Sequence, residues 1–448
     1  MSHSTQEFME APASVYEQKL NEEAEQCVDK SLACLAQHID LEASAGYCGA
    51  LRRKRVIQSA HNLLKLVMVY ALTDYSLRMV GLWGTVMEWG SLCKSGVRKR
   101  LRQCQQWIGM LIVMVLLSGK LSLPKREGMR LRLFDASTVS HPGSHKADWR
   151  LHLGFDLSAG RMTDVQLTDG KQGESLTRWQ FQPNEICLAD RYSGVPRSLG
   201  VLLGAAAFFV IRLGWQNLPL QDRQGRAFSL PQWLAVQSSD PAASPAQVAV
   251  WVNTPQGRFP LRVIARAIPP QKAEKIRYRL RAEAKRKKTR LDERTLLAAG
   301  FVMVVSNLPE LTWSASQILA LYRFRWQIEL VFKRLKSLLN FDHLRATDPQ
   351  LAQVYLLTKL LIALLLTEAQ WQLALAAPQS FHNPERPLSL WRFTQLALQA
   401  FRQSVCGSVT WDKIAQHLPQ LERYLCDEPR RRQKQLVALR NLGMVYGF

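Results

Sequence analysis

The run Leu151-His-Leu-Gly-Phe-Asp-Leu157, the turn residues Ser158-Ala-Gly160 and the run Met162-Thr-Asp-Val-Gln-Leu167 determine the fold class that this sequence can adopt. Two apolar runs of strand length that are joined by a short turn predict an antiparallel hairpin. The earlier run from Leu131 to Phe134 predicts a strand ahead of the hairpin. One domain should therefore begin with three consecutive antiparallel strands.

Helices alternate with strands downstream of this hairpin. The pattern predicts a helix from about Glu174, a strand ending at Ala189-Asp190, a helix near Pro196 to Leu203, and a strand from Ala205 to Ile211. The order β-β-β-α-β-α-β is typical of ribonuclease-H-like domains. We therefore predict an α+β fold in which a ribonuclease-H-like core is built on a mixed sheet.

The sequence on both sides of this core is typical of helices. Residues 1–124 carry helical apolar spacing and predict a helical DNA-binding domain, and residues 346–448 predict a C-terminal helical region that could mediate dimerisation. The catalytic core should span residues 125–345. Residues 214–299 interrupt it as a β-rich, basic insertion, since strand-like runs there precede a cluster of cations.

A basic segment in the N-terminal domain predicts a helix-turn-helix. Ser76-Leu-Arg-Met-Val80 predicts a short helix, Gly90-Ser91 a turn, and Lys94 to Arg102 a basic second helix. In this interpretation the second helix contacts DNA through Arg98, Lys99 and Arg100. The alternative is a solvated basic helix within a bundle, because short helix pairs with a glycine between them are common.

The charge balance points to a polyanionic partner. The chain has 59 Lys and Arg against 36 Asp and Glu, a net charge of +23. Such an excess favours nucleic acid over a small acidic metabolite. Residues 272–294 concentrate the charge, with eleven Lys or Arg against four acids, and form either a solvated helix face or an arm that follows DNA.

Membrane insertion and secretion are not predicted. The longest apolar runs, Trp107 to Leu117 and Leu360 to Leu366, are shorter than the roughly 20 residues that a spanning helix needs. Met1 to Glu10 lacks the basic and apolar regions of a signal peptide. The eight cysteines include no C-x-x-C pair, so we expect reduced thiols in a cytoplasmic protein.

The most specific motif has four polar side chains at helical spacing, Tyr322, Arg325, Glu329 and Lys336. In one continuous helix the last three would project within about 60° of Tyr322. Another face carries Leu321, Ile328, Phe332, Leu335 and Leu339 and would pack on the sheet. The alternative is a surface helix in which Arg325 and Glu329 form an ordinary pair four residues apart.

This spacing resembles the Y-R-E-K signature of bacterial DDE transposases of the insertion-sequence-four family. Phe134-Asp135 and Leu188-Ala-Asp190, each at the end of a predicted strand, resemble the segments that carry the first and second catalytic aspartates of that family. The resemblance implies that Asp135, Asp190 and Glu329 converge as catalytic, metal-binding residues. Taken singly, each aspartate could instead cap a helix or a turn.

Carboxylates suit the implied reaction because phosphodiester cleavage and transfer require activation of one oxygen and stabilisation of another. Two Mg²⁺ ions about 3.5–4 Å apart do both, and Mn²⁺ is a plausible substitute. Asp135 would bridge the ions, and Asp190 and Glu329 would each complete one of them. No covalent protein nucleophile is required.

The resemblance also implies contacts with DNA. Arg325 and Lys336 would hold backbone phosphates, and Tyr322 would hydrogen-bond a phosphate near the cleavage site. Phe301 occupies the place where the best-described member of the family has a tryptophan that stacks a flipped base. The alternative is that Phe301 is a core residue of a strand.

The implied function is cut-and-paste transposition in the bacterial nucleoid. A homodimer would bind the terminal inverted repeats of double-stranded DNA, cleave the ends through a hairpin intermediate, and join them to target DNA. Two alternatives stay open: a catalytically silent DNA-binding relative or inhibitor, and a nuclease on the same core that lacks strand transfer.

Overall fold

A computed structural model describes residues 39–121, 130–141, 143–144, 146–376, 389–409, 412–413 and 416–417. The described chain divides into two compact units. The sheet unit spans Lys120–Lys336, and the helical unit contains the described residues before and after it.

The helices, numbered along the chain, have the following bounds. They are α1 Leu41–Tyr47, α2 Ala60–Leu72, α3 Leu77–Val86, α4 Lys94–Gln103, α5 Gln105–Leu121, α6 Pro196–Gly204, α7 Leu230–Ala235, α8 Pro270–Lys287, α9 Glu293–Ala298, α10 Ala315–Arg323, α11 Trp326–Leu339, α12 Pro349–Ala376 and α13 Leu390–Cys406. Helices α1 to α5, α12 and α13 belong to the helical unit, and α11 crosses the division between the units.

The helical unit joins segments from both ends of the chain. Helix α2 is buried over most of its length, and it packs against α12 and α13, with the rings of Tyr70 and Tyr355 5.8 Å apart. A helix that is apolar on nearly all sides needs partners on all sides. The two flanks predicted as separate helical regions therefore form one unit, because the C-terminal helices supply what α2 needs.

Helix α12 is longer than its central apolar run indicated. Its segment Pro349–Gln370, 22 residues with mean hydropathy 1.6, meets the length and composition of a membrane span. Some 78% of that segment is buried inside the protein, and core helices of soluble proteins have the same character. The segment is therefore weak evidence for a membrane span.

The sheet unit is built on eight strands, and the α+β, ribonuclease-H-like prediction is confirmed. The strands are β1 Leu131–Val139, β2 Trp149–Asp156, β3 Arg161–Asp169, β4 Ile186–Ala189, β5 Phe208–Arg212, β6 Ala246–Thr254, β7 Gly257–Ala267 and β8 Phe301–Ser306. They lie in the order β3-β2-β1-β4-β5-β8-β7-β6. Strands β1 to β3 pair antiparallel, and β1, β4 and β5 run parallel.

Two local predictions are wrong. The helix expected from Glu174 is a single 3-10 turn, Leu176–Arg178, because Gly170, Gly173 and Pro183 surround a segment that cannot sustain a longer helix. Strand β1 does not end at Phe134 but continues to Val139, because β2 pairs with it along this whole length.

The predicted insertion is continuous with the core sheet. Strands β6 and β7 form a hairpin, and β7 pairs antiparallel with β8, from Ala267↔Phe301 to Arg262↔Ser306. Strand β8 in turn pairs with β5. The chain thus leaves the core after β5 and forms the hairpin β6–β7. It then returns as β8, which lies between β5 and β7.

Candidate active site

Two aspartates lie side by side where strands β1 and β4 stop pairing. The parallel register ends with Phe134 opposite Ala189, and Asp135 and Asp190 are the next residues in the two strands. Asp135 remains inside β1, whereas Asp190 follows β4 directly and precedes a 3-10 turn. The carboxyl end of a parallel strand pair therefore brings together two acids that are 55 positions apart, 190 − 135.

The carboxyl group of Asp135 is held in a partly buried position. One oxygen accepts a hydrogen bond from the Ala136 amide at 2.8 Å, and the other lies 3.6 Å from Arg325 Nη1. Burial raises the pKa of Asp135 to about 6. The Ala136 amide and Arg325 oppose that rise, and the charges of Asp190 and Glu329 add to it. Asp135 is therefore within electrostatic range of both Asp190 and Glu329.

The signature motif does not lie on one continuous helix. Helix α10 ends at Arg323 and α11 begins at Trp326, and the Arg325 amide bonds to the Tyr322 carbonyl only three residues back. Tyr322 is thus at the end of one helix and Glu329 is in the first turn of the next. The hydroxyl of Tyr322 donates to Asp190 Oδ1 at 3.5 Å, and burial raises the pKa of this phenol.

Arg325 lies between two of the acids. Its Nη2 forms a hydrogen-bonded ion pair with Glu329, while its Nη1 faces Asp135. The guanidinium is mostly shielded from solvent, at 15% exposed, but the Glu329 side chain is 55% exposed. One arginine therefore connects Asp135 on the strand to Glu329 on the helix, and its guanidinium supplies positive charge between these two acids.

The chemistry of these side chains fits divalent cations. The donors are carboxylate oxygens, which Mg²⁺ and Mn²⁺ prefer, and their combined charge exceeds that of the single arginine between them. With Arg325 in this place, no three His, Cys, Asp or Glu side chains of the described chain are grouped closely enough to hold one ion. The three acids would therefore have to move closer together to hold one ion in common.

Glu174 is a fourth acid near this site that the motif did not reveal. Burial, together with the charges of Asp135 and Asp190, raises its pKa to about 7. Arg150 on β2, with Nη1 3.9 Å from Glu174 Oε1, partly opposes the rise. We expected Glu174 to begin a helix, so the sequence analysis did not place it near the aspartates. Its position after Gly173, in a loop that follows the predicted hairpin, could have indicated this proximity.

Two other residues of the predicted site are not in contact with the acids. Lys336 is half-buried on α11, seven residues or about 10.5 Å along the axis from Glu329. Phe301 begins β8, where it is half-buried and packs against the apolar core of the sheet unit. This packing favours the structural interpretation of Phe301 over base stacking.

The basic residues predicted to contact DNA lie on α4, in the helical unit. Helices α3 and α4 pack against each other, capped by Ser76 and Cys93. Arg98 and Lys99 are exposed, and Arg100 is half-buried with its guanidinium donating to the Arg53 carbonyl at 2.8 Å. A cleft of about 480 Å³ separates this helix from the loop of Arg52, Arg53 and Arg55. The helix-turn-helix assignment and its DNA contact stay predictions.

Comparison with known proteins gives a consistent result. Residues 126–366 match the family model described as the transposase DDE domain. The chain is 36% identical over 340 residues to the putative transposase InsL of insertion sequence element IS186A from Escherichia coli K12, covering 75% of this chain and 92% of that protein. It is equally similar to the transposase of IS421 from Escherichia coli. It is 22% identical over 273 residues to the transposase of IS231F from Bacillus thuringiensis, covering 54% and 57% of the two chains.

Proposed function

We propose, for a chain that belongs to the DDE transposase family, that it excises an insertion sequence at its terminal inverted repeats and joins the freed ends to target DNA. The observation that carries the proposal is that Asp135 and Asp190 follow the paired ends of β1 and β4, and that Arg325 lies 3.6 Å from Asp135 and forms an ion pair with Glu329. Like charges that crowd a partly buried site are typical of functional positions.

The three carboxylates would hold two divalent ions, Mg²⁺ in the cell, with Mn²⁺ as a substitute. When bound, the ions supply Lewis-acid stabilisation for the attacking and leaving oxygens of the phosphodiester. Asp135, whose pKa is raised by the charges of both Asp190 and Glu329, is our candidate for the ligand shared by both ions. Glu174 would act next to this set, where it can hold a proton or orient Arg150.

Positively charged and aromatic residues of the same segment would position the DNA. Arg325 can exchange its carboxylate partners for a backbone phosphate, which its planar guanidinium also binds with two hydrogen bonds. Tyr322 would orient Asp190 and a phosphate oxygen near the scissile bond. Lys336, further along α11, would contact a phosphate away from the reacting atoms. The role of Phe301 in stacking a flipped base has the least support, because its ring packs in the core.

Recognition of the ends would fall to the helical unit. Helix α4 presents Arg98 and Lys99 to solvent, and the nearby loop adds Arg52 and Arg55, so both a groove-reading helix and a phosphate-binding loop are available. Two copies, one for each repeat, would form the synaptic complex as a homodimer on nucleoid DNA. Cleavage through a hairpin is part of this proposal.

The experiment is a cleavage and joining assay with full-length protein. Labelled duplexes that carry the repeats bracketing the reading frame are incubated with Mg²⁺ and a target plasmid, and nicks, hairpins and joined products are separated on a denaturing gel. D135N, D190N and E329Q should lose all three products but retain binding to the repeat. E310Q, which alters an exposed acid of the same unit, is the matched control. Wild-type-level cleavage by any of the three variants would remove that residue from the site.

The same gel separates the alternative functions. Nicks and hairpins without joined products would indicate a nuclease that lacks strand transfer. Repeat binding without any cleavage by the wild type, in either Mg²⁺ or Mn²⁺, would indicate a silent DNA-binding relative.

A further inference from the structure

Helix α8 carries a row of cations along its outer side. Lys272, Arg279 and Arg286 follow one another at intervals of seven residues, and Lys275 lies within about 60° of them around the axis. All four side chains are exposed. Successive members of the seven-residue series are two turns, about 10.5 Å, apart along a helix of about 27 Å. We call these four residues the α8 stripe.

The acids of this helix neutralise other cations and leave the stripe charged. Glu274 pairs with Arg281 at 2.9 Å and with Arg277 at 3.5 Å, and Glu283 pairs with Lys287 at 2.6 Å. Within the described part of the chain, no acidic side chain forms an ion pair with a stripe residue. The four stripe residues are all cations, and the one acid that projects on the same side of the helix, Glu283, is paired with Lys287 at 2.6 Å.

The opposite side of α8 is fixed to the sheet unit. Ala273 is buried, Ile276 and Leu280 are half-buried, and Arg277 Nε donates to the Leu296 carbonyl at 3.0 Å. These contacts fix the orientation of α8, and therefore of the stripe, relative to the rest of the sheet unit.

The C-terminal half of α8 is within electrostatic range of Arg191, the residue after Asp190. The pKa of Glu283 is lowered, chiefly by Lys287 and to a smaller extent by Arg286 and Arg191. Arg191 follows Asp190 directly, and its guanidinium stacks on the exposed ring of Tyr192 at 5.3 Å. Arg191 and the C-terminal half of α8 thus both contribute positive charge to the sheet unit.

We propose that the α8 stripe binds the sugar-phosphate backbone of duplex DNA that extends away from the reacting phosphate, without regard to its sequence. This inference rests on the proposed function, since it assumes that DNA is cut at Asp190. A row of exposed, unneutralised ammonium and guanidinium groups on a rigid helix suits phosphates, and its flexible side chains offer no base-specific geometry.

The test is the salt dependence of binding to a random-sequence 30-bp duplex, with full-length protein. The variant K272Q/R279Q/R286Q removes three stripe cations. The control variant R281Q/K287Q/R294Q removes three exposed cations of the same region that already pair with acids, so the net charge changes equally. Each lost phosphate contact lowers the slope of log affinity against log salt by about 0.9. The stripe variant should lose about 2 to 3 from that slope, and the control less than about 1.

Equal slopes for the two triple variants would overturn the proposal. The single reversal R279E should weaken binding more than R281E does, and the opposite ranking would also overturn it. Thermal unfolding midpoints should match among all variants, because the changed side chains are exposed.

A second measurement identifies which DNA the stripe holds. Cleavage is compared on repeat duplexes that end at the scissile bond or extend 15 bp beyond it, and joining is compared on a plasmid target. If the extension increases cleavage by the wild type but not by the stripe variant, the stripe binds flanking donor DNA. If the stripe variant loses only joining, the stripe binds target DNA. If D135N cleaves as well as the wild type, the proposed function fails, whereas the salt slopes still decide whether the stripe binds DNA.

Discussion

Strand β1 carries two arginine–carboxylate clusters whose strand residues are only three positions apart and which have opposite character. In the first, Arg132 is 4% exposed and donates to Glu185 at 2.8 Å, to Asp164, and to the Gln180 carbonyl. It also stacks on the ring of Phe134 at 4.6 Å. In the second, Arg325 is shared among Asp135, the largely exposed Glu329 and the nearby Asp190. We call them the closed cluster and the open cluster.

The difference between the clusters shows how one strand can serve both stability and chemistry. Strand residues 132 and 135 project to opposite faces of the sheet, because side chains alternate along a strand. The closed cluster satisfies its acids with hydrogen bonds inside the protein, and such a network resists the removal of any member. The open cluster has more acids than its arginine can neutralise. It therefore keeps a negative charge that its arginine does not balance.

The largest effect should come from removing an acid of the open cluster. D135N should reduce cleavage by at least about 10³-fold, because metal binding supplies several kcal/mol of transition-state stabilisation. Its unfolding midpoint should stay equal or rise, since the change removes a like charge from a partly buried site. Cleavage assays and thermal melts of the metal-free protein check the two parts. A lower midpoint would mean that Asp135 has a structural role like that of the closed cluster.

The closed cluster should give the reverse result. R132M should lower the free energy of unfolding by about 3–5 kcal/mol, because it leaves Asp164 and the buried Glu185 without their cation. Denaturant titration followed by circular dichroism measures this loss. R130Q is the matched control. Arg130 is about one-third exposed and forms a salt bridge with one acid, Asp156. A loss in R132M no larger than that in R130Q would refute the distinction between the clusters.

A buried cation with no close acid provides a third case, in the helical unit. Lys359 donates to the Asn340 carbonyl at 2.8 Å and lies 4.1 Å from the centre of the Tyr355 ring. Burial lowers its pKa to about 7 from an ordinary value of 10.5. The surrounding charges are Arg345 and Arg402, which lower this pKa, and Asp74 and Asp342, which raise it.

The pH dependence of stability should therefore distinguish Lys359 from the arginine of the closed cluster. Between about pH 7 and 10.5 the unfolded chain binds a proton at Lys359 that the folded chain does not. The free energy of unfolding should thus rise with pH in that range. Below about pH 7 both states are protonated and the dependence disappears. K359M should have a flatter profile than the wild type in urea titrations at pH 7 and 9.5. Parallel profiles would contradict the lowered pKa.

The smallest effect concerns Arg325 as a competitor for metal. R325Q should bind Mn²⁺ about two- to fivefold more tightly than the wild type, because a partly exposed ion pair is worth about 0.2–1 kcal/mol. Its cleavage activity should nevertheless fall, since a phosphate contact is lost. Isothermal titration with Mn²⁺ measures the affinity. K336Q, which changes a cation outside the cluster, should bind Mn²⁺ like the wild type. Weaker Mn²⁺ binding by R325Q would show that Arg325 organises the acids and does not compete for them.

Sequence reasoning predicted the open cluster better than the closed one for a physical reason. Asp135, Asp190 and Glu329 have fixed identities in a motif, and strand alternation with parallel pairing brings the two aspartates to one place. The partners of Arg132 depend on which strands become neighbours and on a loop conformation around Glu185. Periodicity does not encode either of these.

The same limit explains the local errors. Tyr322, Arg325 and Glu329 have helical spacing in the sequence whether or not the helix is interrupted, so a pattern alone could not detect the break between α10 and α11. The position of β7 against β8 depends on long-range pairing, and the sequence therefore indicated an insertion without indicating that it extends the sheet.

The joining of α2 and α12 in one helical unit has a consequence for synthesis. The end of α2 at Leu72 and the start of α12 at Pro349 are 277 residues apart, 349 − 72, so a ribosome working at about 5–20 residues per second needs roughly 14–55 s between them. All strands of the sheet unit emerge during this interval, while the apolar surface of α2 still lacks its partner. Helix α4 can thus pack against α12 only after α12 has been synthesised, late in translation. A chain that stops before α12 should carry a folded sheet unit beside an incomplete helical one, and such a product is expected to be a target for chaperones and proteases.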